Sequence, residues 1–103
     1  DIQFGNSRIQ KICEDYKESC RKYGDQQAKQ IVARINEIVA SENLYDISRL
    51  PQARLHQLTG NYKGAFAVDL YKWLRLILVP LNGEPADLKS ITCVEIKEIK
   101  DYH

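Results

Sequence analysis

The apolar positions of the chain change their period once, near Pro51. Before it, Ile9, Ile12, Cys13, Tyr16, Cys20 and Tyr23 recur at three- and four-residue steps, the spacing of one helix face. Ser7, with Gln10 three residues on, reads as a capping box at the start of that helix, and Gly24 as its stop. Asp25 then caps a second helix whose apolar face is Ala28, Ile31, Val32, Ile35, Ile38 and Val39. So little chain separates the two helices that they are expected to pack as an antiparallel hairpin. Ile2–Phe4 precedes them as a short apolar-edged strand cut off by Gly5. Asn43 to Pro51 reads as a turn and connecting segment that Leu44, Ile47 and Leu50 pin to the core.

After Pro51 the period is two. Arg54–Leu58 reads as a short strand with Leu55 and Gln57 facing one way and His56 and Leu58 the other. Gly60–Gly64 is a polar turn. Phe66, Val68 and Leu70 then alternate with Ala67 and Asp69 as a strand with one buried face. A reversal at Lys72–Trp73 leads into Leu74–Val79, apolar on both faces and therefore central. Pro80 to Pro85 is a loop around Asn82-Gly83. In the last segment, Ile91–His103, the alternation of Thr92, Val94 and Ile96 slips by one to Ile99, which predicts a β-bulge or an end of pairing. Beyond Ile99, Asp101 and His103 share one face and Lys100 and Tyr102 the other. Helices followed by short-linked strands predict an α+β fold: a short N-terminal strand, then a two-helix hairpin on one face of a small antiparallel sheet, β-α-α-β-β-β.

With 103 residues and 11.9 kDa, the expectation is a single domain spanning 1–103. No apolar run approaches the roughly 20 residues that cross a bilayer, and no basic-then-apolar leader opens the chain, so the expected setting is the cytoplasm, away from membranes. The three cysteines, Cys13, Cys20 and Cys93, argue against a disulfide framework, which would want an even count and closer spacing. Without a CxxC pair, and with His56 and His103 the only histidines, no structural metal site is expected. Cys13 and Cys20, seven apart, read as small buried apolar residues. Lys and Arg total 15 against 14 Asp and Glu, a net charge of +1. That argues against gripping free nucleic acid over a long track, since about six to ten phosphate contacts call for a surplus of cations. It leaves room for a local cationic pocket, or for a nucleic acid presented by a larger machine.

No phosphate loop, dinucleotide fingerprint, HExxH or GxSxG sequence is present. The candidate chemistry lies elsewhere. Lys100-Asp101-Tyr102-His103 puts titratable groups at the tip of a strand, where a frayed polar tail is the plain alternative. His56 interrupts a short strand, and a hydrogen-bonded interior histidine is its plain reading. Arg75 lies in the most apolar strand, so it faces solvent or is paired; Asp101 and Glu95 are the candidate partners, a phosphate the functional one. Lys63 sits in the glycine-flanked turn.

The order of these residues resembles a known pattern. Leu50-Pro51-Gln52-Ala53-Arg54-Leu55-His56-Gln57-Leu58-Thr59-Gly60 is similar to the strand-and-turn signature of the HigB-like branch of the RelE/ParE toxin superfamily. Lys63-Gly64-Ala65-Phe66-Ala67-Val68 resembles that family's second strand, Trp73-Leu74-Arg75-Leu76-Ile77 its arginine-bearing third, and Glu98-Ile99-Lys100-Asp101-Tyr102-His103 its ending. The resemblance covers residues 50–103 closely and the N-terminal half in pattern only. It implies the toxin of a type II toxin–antitoxin pair: a ribosome-dependent endoribonuclease that cuts messenger RNA without metal or cofactor. Its partners would be the ribosome, the message and a HigA-like helix-turn-helix antitoxin, with operator DNA reached only through the antitoxin. The roles carried over fall on His103 for proton transfer, on Asp101 and Tyr102 beside it, on His56, and on Arg75 for the phosphate. Lys63, Lys72 and Lys100 are the expected RNA contacts. Whether His103 or His56 is the base stays open. One position departs from the family: Thr59 stands where a lysine often precedes the glycine of the turn. Two alternatives follow, a ParE-like poison of DNA gyrase without nuclease activity, and a non-cutting co-repressor that binds its antitoxin.

Overall fold

A computed structural model of the chain describes residues 1–102. The elements are β1 (Ile2–Phe4), α1 (Ser7–Glu14), α2 (Tyr16–Tyr23), α3 (Asp25–Ala40), α4 (Leu44–Ser48), β2 (His56–Gln57), β3 (Phe66–Asp69), β4 (Leu74–Pro80) and β5 (Val94–Asp101). The α+β class and the helical layer on one sheet face are as the period predicts. The first helix differs, being broken at Asp15. The Asp15 carboxylate accepts from the backbone N–H groups of Lys17 and Glu18, so it ends α1 and caps α2. An aspartate that finds nearby N–H groups competes with helix propagation in this way. Asn6, not Ser7, caps α1, its side chain accepting from Ile9 N–H at 2.9 Å. Gly24 alone separates α2 from α3; with φ at 85° it holds the left-handed turn of the hairpin, and Asp25 is the first residue of α3 rather than its cap. The connection after α3 also contains a short helix: Asn43 caps α4, which buries Leu44 and Ile47.

The sheet has five strands in the order β1-β5-β4-β3-β2. β1 runs parallel to β5, and the other pairings are antiparallel, so the sheet is mixed rather than wholly antiparallel. The reason is topological. β1 and β2 occupy opposite edges, and the helices between them carry the chain across one face from edge to edge. β4 is central, as its two apolar faces require. β5 steps from Ile96 to Glu98 while β4 steps once from Leu78 to Ile77, leaving Lys97 as the extra residue of a bulge. This is the slip visible in the sequence, and it lets Ile96 and Ile99 both face the helices. β2 is shorter than expected, because Arg54 takes φ at 47° and breaks the extended conformation.

The main core lies between helices and sheet, with Ile31, Ile47, Leu76, Leu78, Ile91 and Ile96 all but sealed from solvent. Burial of such side chains contributes about 1.5–3 kcal/mol each. A second, smaller cluster of Ala65, Ala67 and Ile77 lies on the opposite sheet face, under Leu58, Tyr62, Val79 and Tyr102. Two polar side chains of α3 tie it to the end of β3. Gln27 exchanges hydrogen bonds with both backbone groups of Tyr71, and buried Arg34 donates from Nε to the Asp69 carbonyl at 3.0 Å.

Candidate functional site

Strand register decides which polar side chains meet. His56 stands opposite Ala67, Ala67 opposite Ile77, Asp69 opposite Arg75, and Arg75 opposite Lys100. All share the face turned away from the helices, since side chains alternate and Phe66, Val68, Leu74 and Leu76 take the core face. A surface built from four strands thus carries His56, Asp69, Arg75 and Lys100 over the floor of Ala67 and Ile77.

Asp69 is the hub. Its Oδ1 lies 3.3 Å from Arg75 Nε and 3.9 Å from His56 Nε2, and its Oδ2 lies 3.3 Å from Arg54 Nε. Its side chain is only 19% exposed, whereas Arg54 is 73% exposed and reaches it from outside. The Asp69 backbone is fixed on both sides. Its N–H donates to the Ala53 carbonyl at 2.7 Å, and its carbonyl accepts from Arg34. The first of these bonds sets Ala53 against β3, and the left-handed backbone of the next residue turns Arg54 toward the carboxylate. His56 Nε2 and Asp69 Oδ1 are shielded from solvent, and neither meets hydrogen-bond geometry with a partner among the described residues.

Aromatic rings flank this cluster. The Arg75 guanidinium stacks over the Tyr102 ring, 4.6 Å from its centre. Tyr102 is held in turn by its N–H, which donates to the Trp73 carbonyl at 2.9 Å. On the other side, Lys100 Nζ donates to the Tyr62 hydroxyl at 3.1 Å, and that hydroxyl donates to Glu98 Oε1 at 3.2 Å. The bond to Tyr62 is the main cause of a lysine pKa raised above its usual value, with the charge interactions of Tyr62, Glu98 and Tyr102 adding to it and slight desolvation opposing it. The surface combines two arginines, a lysine, a histidine and two tyrosine rings against the carboxylates of Asp69 and Glu98. Cations beside aromatic rings are a usual means of holding single-stranded nucleic acid; here both tyrosines are half-buried over the smaller core cluster.

Of the residues picked out in the sequence, His56, Arg75, Tyr102 and Lys100 come together. Asp101 does not: it pairs with Leu74 on the core-facing side of β5 and lines a cleft with Lys22, Tyr23, Gln27, Lys72 and Trp73. Lys72, in the left-handed turn between β3 and β4, belongs to that cleft too. The partner of Arg75 is therefore Asp69, not Asp101 or Glu95. Lys63 and Thr59 are exposed, at the two ends of a short 3-10 turn, Gly60–Tyr62. His103 lies outside the described residues. Sequence reasoning missed Asp69, Arg54 and Tyr62. A signal existed for the first: a reversal at Lys72–Trp73 sets Asp69 across from Arg75. No group of three or more metal-ligating side chains forms among the described residues. No helix among them is long and apolar enough to cross a membrane. The cysteines are free, and burial, with a lesser contribution from Glu14, pushes the Cys13 thiol up to about 12. No protein-family model and no curated protein matches the chain.

Proposed function

We propose that this protein is the toxin of a type II toxin–antitoxin pair of the HigB-like kind, a ribosome-dependent endoribonuclease that acts on messenger RNA in the cytoplasm and is neutralised by a HigA-like helix-turn-helix antitoxin. The observation that carries the reading is the meeting of His56, Arg75 and Tyr102, from three separate segments, on the sheet face free of helices. The motif resemblance supplies the reaction, and this cluster has the residue types it needs.

Metal-free cleavage of RNA uses the neighbouring 2′-hydroxyl. Its oxygen forms a bond to phosphorus while the bond to the 5′-oxygen breaks, leaving a cyclic phosphate. A base takes the 2′-proton and an acid protonates the departing 5′-oxygen. An imidazole serves either transfer near neutrality, which is worth about 10²–10⁴-fold. In this reading His56 and His103 share those transfers. Arg75 faces the charge that develops on the non-bridging oxygens, and the Tyr102 ring, already stacked on Arg75, offers a face for a base. A net charge of +1 fits a protein whose substrate is presented to it by the ribosome.

The test is induction in cells without the antitoxin, followed by sequencing of RNA 5′ ends and a reporter of DNA damage. New 5′ ends within translated messages, with intact DNA, are expected. DNA damage with intact RNA would establish the gyrase-poisoning alternative, and unimpeded growth would establish the non-cutting co-repressor.

A further inference from the structure

Asp69 receives two arginines and an imidazole, yet neither arginine spends its whole donor set on it. Arg54 and Arg75 both approach through Nε, at 3.3 Å, on different carboxylate oxygens. Nε engagement leaves the terminal amino groups of each guanidinium, and neither arginine has another hydrogen bond or ion pair among the described residues. An arginine held in this way is oriented without being used up, because the planar fork keeps donors for a second anion. The charges agree: two arginines against one carboxylate leave a surplus of +1 before His56 is counted. The Arg54 backbone, at a φ of 47°, is in a region that L-residues seldom adopt, and such strain concentrates where a side chain must be aimed. Asp69 cannot drift, since its N–H and carbonyl are both bonded to other segments.

We propose that Asp69 is the positioning residue of a phosphodiester site. It aims the forks of Arg54 and Arg75 at one backbone phosphate and keeps His56 beside them. Arg54 is thereby a phosphate-binding residue in its own right. The proposal rests on the nuclease reading for the identity of the strand, RNA, but the site itself is defined by phosphate chemistry. A merely structural ion cluster differs in one respect: its loss lowers stability and leaves the reaction rate per folded molecule untouched.

Asp69→Asn is the primary variant, because it is isosteric and removes the charge that draws the forks inward. On programmed ribosomes under single-turnover conditions, the cleavage rate is expected to fall by about 10- to 100-fold, the scale of a misplaced reacting geometry. The ribosome concentration giving half-saturation is expected to stay within about twofold, since the variant loses only a negative charge. Asp69→Glu restores part of the rate, and melting curves verify that both variants are folded. A second readout does not depend on cutting. In nitrogen-15 spectra, the Nε–H signals of Arg54 and Arg75 shift on adding an uncleavable 2′-deoxy trinucleotide, and their dispersion is lost in Asp69→Asn. An unchanged cleavage rate in the folded variant overturns the positioning role. Silence of both Nε–H signals toward the trinucleotide overturns the phosphodiester site. If the wild type cuts nothing while those signals respond and depend on Asp69, the nuclease reading falls and the site stands.

Discussion

Replacing Arg34 by Met separates the support of the candidate site from the site itself. Arg34 is 5% exposed, and its three guanidinium nitrogens serve three partners: Nε donates to the Asp69 carbonyl at 3.0 Å, one terminal nitrogen to Glu37 at 2.6 Å and the other to Gln30 at 2.9 Å. Methionine keeps the unbranched stem and most of the packing. Gln30 and Glu37 are half-buried and recover solvation easily; Glu37 also keeps a bond from Gln52 at 3.1 Å. The Asp69 carbonyl loses the Arg34 Nε donor, and stranding such a group costs about 1–3 kcal/mol. Adding about 1 kcal/mol for the partly screened Glu37 pair gives a loss of about 2–4 kcal/mol. For a domain of this size that lowers Tm by roughly 10–20 °C. Urea titration followed by far-UV circular dichroism measures the loss, and amide exchange at Asp69 and Leu70 locates it. Arg34→Lys, which keeps a charge without the fork, should fall between the two. A loss below about 0.5 kcal/mol, with unchanged exchange at the end of β3, would refute the claim that α3 holds Asp69 in place.

Three further outcomes follow from two residues, Cys13 and Gly83. At pH 8 a thiol at about 12 is only about 10⁻⁴ ionised, against about a tenth at the usual 9.0, so Cys13 should resist iodoacetamide about a thousandfold better than an unshifted thiol and react only on unfolding, as peptide mass spectrometry would register. Because the folded thiol keeps its proton where the unfolded one releases it, the Cys13 contribution is intact below about 9 and stability falls as pH rises from there toward 12; a flat alkaline limb in the wild type, or one unchanged in Cys13→Ala, would contradict this. Gly83→Ala should destabilise by about 1–3 kcal/mol in thermal melts, because the backbone sits at φ 75° and a Cβ would come within 2.3 Å of the Ser90 carbonyl oxygen; a neutral result would mean that the loop relaxes freely.

What the sequence disclosed and what it hid divide along the range of the interactions. Period and spacing located α3, β3 and β4 and the faces of Leu55, His56, Gln57 and Leu58, since these depend on neighbours a few residues away. The bulge at Lys97 was legible for the same reason, as a one-residue slip between Ile96 and Ile99. The break at Asp15 was also local, an aspartate followed three residues later by Glu18, but a continuous apolar stripe from Ile9 to Tyr23 masked it. The parallel pairing of β1 with β5 joins residues about ninety positions apart, and alternation says nothing about partner or direction. The site follows the same rule. His56, Arg75 and Tyr102 stood out singly, whereas Asp69 looked like an ordinary outward residue of a half-buried strand. Its role emerges only when the hairpin sets Arg75 opposite and the Ala53 carbonyl draws Arg54 alongside. Asp101 stood beside Tyr102 among the candidates, but alternation beyond Ile99 already set the two on opposite faces, and Asp101 lies on the core-facing side.

The central claim is that this protein cuts messenger RNA on the ribosome with the face carrying His56 and Arg75. It is tested most directly by mapping message 5′ ends on programmed ribosomes with the wild type and with His56→Ala, Arg75→Ala and His103→Ala. New ends at the decoding site, lost or sharply reduced in Arg75→Ala and in at least one histidine variant while each protein stays folded, are the predicted result. Intact message with the wild type, or ends that persist unchanged in all three variants, would contradict it.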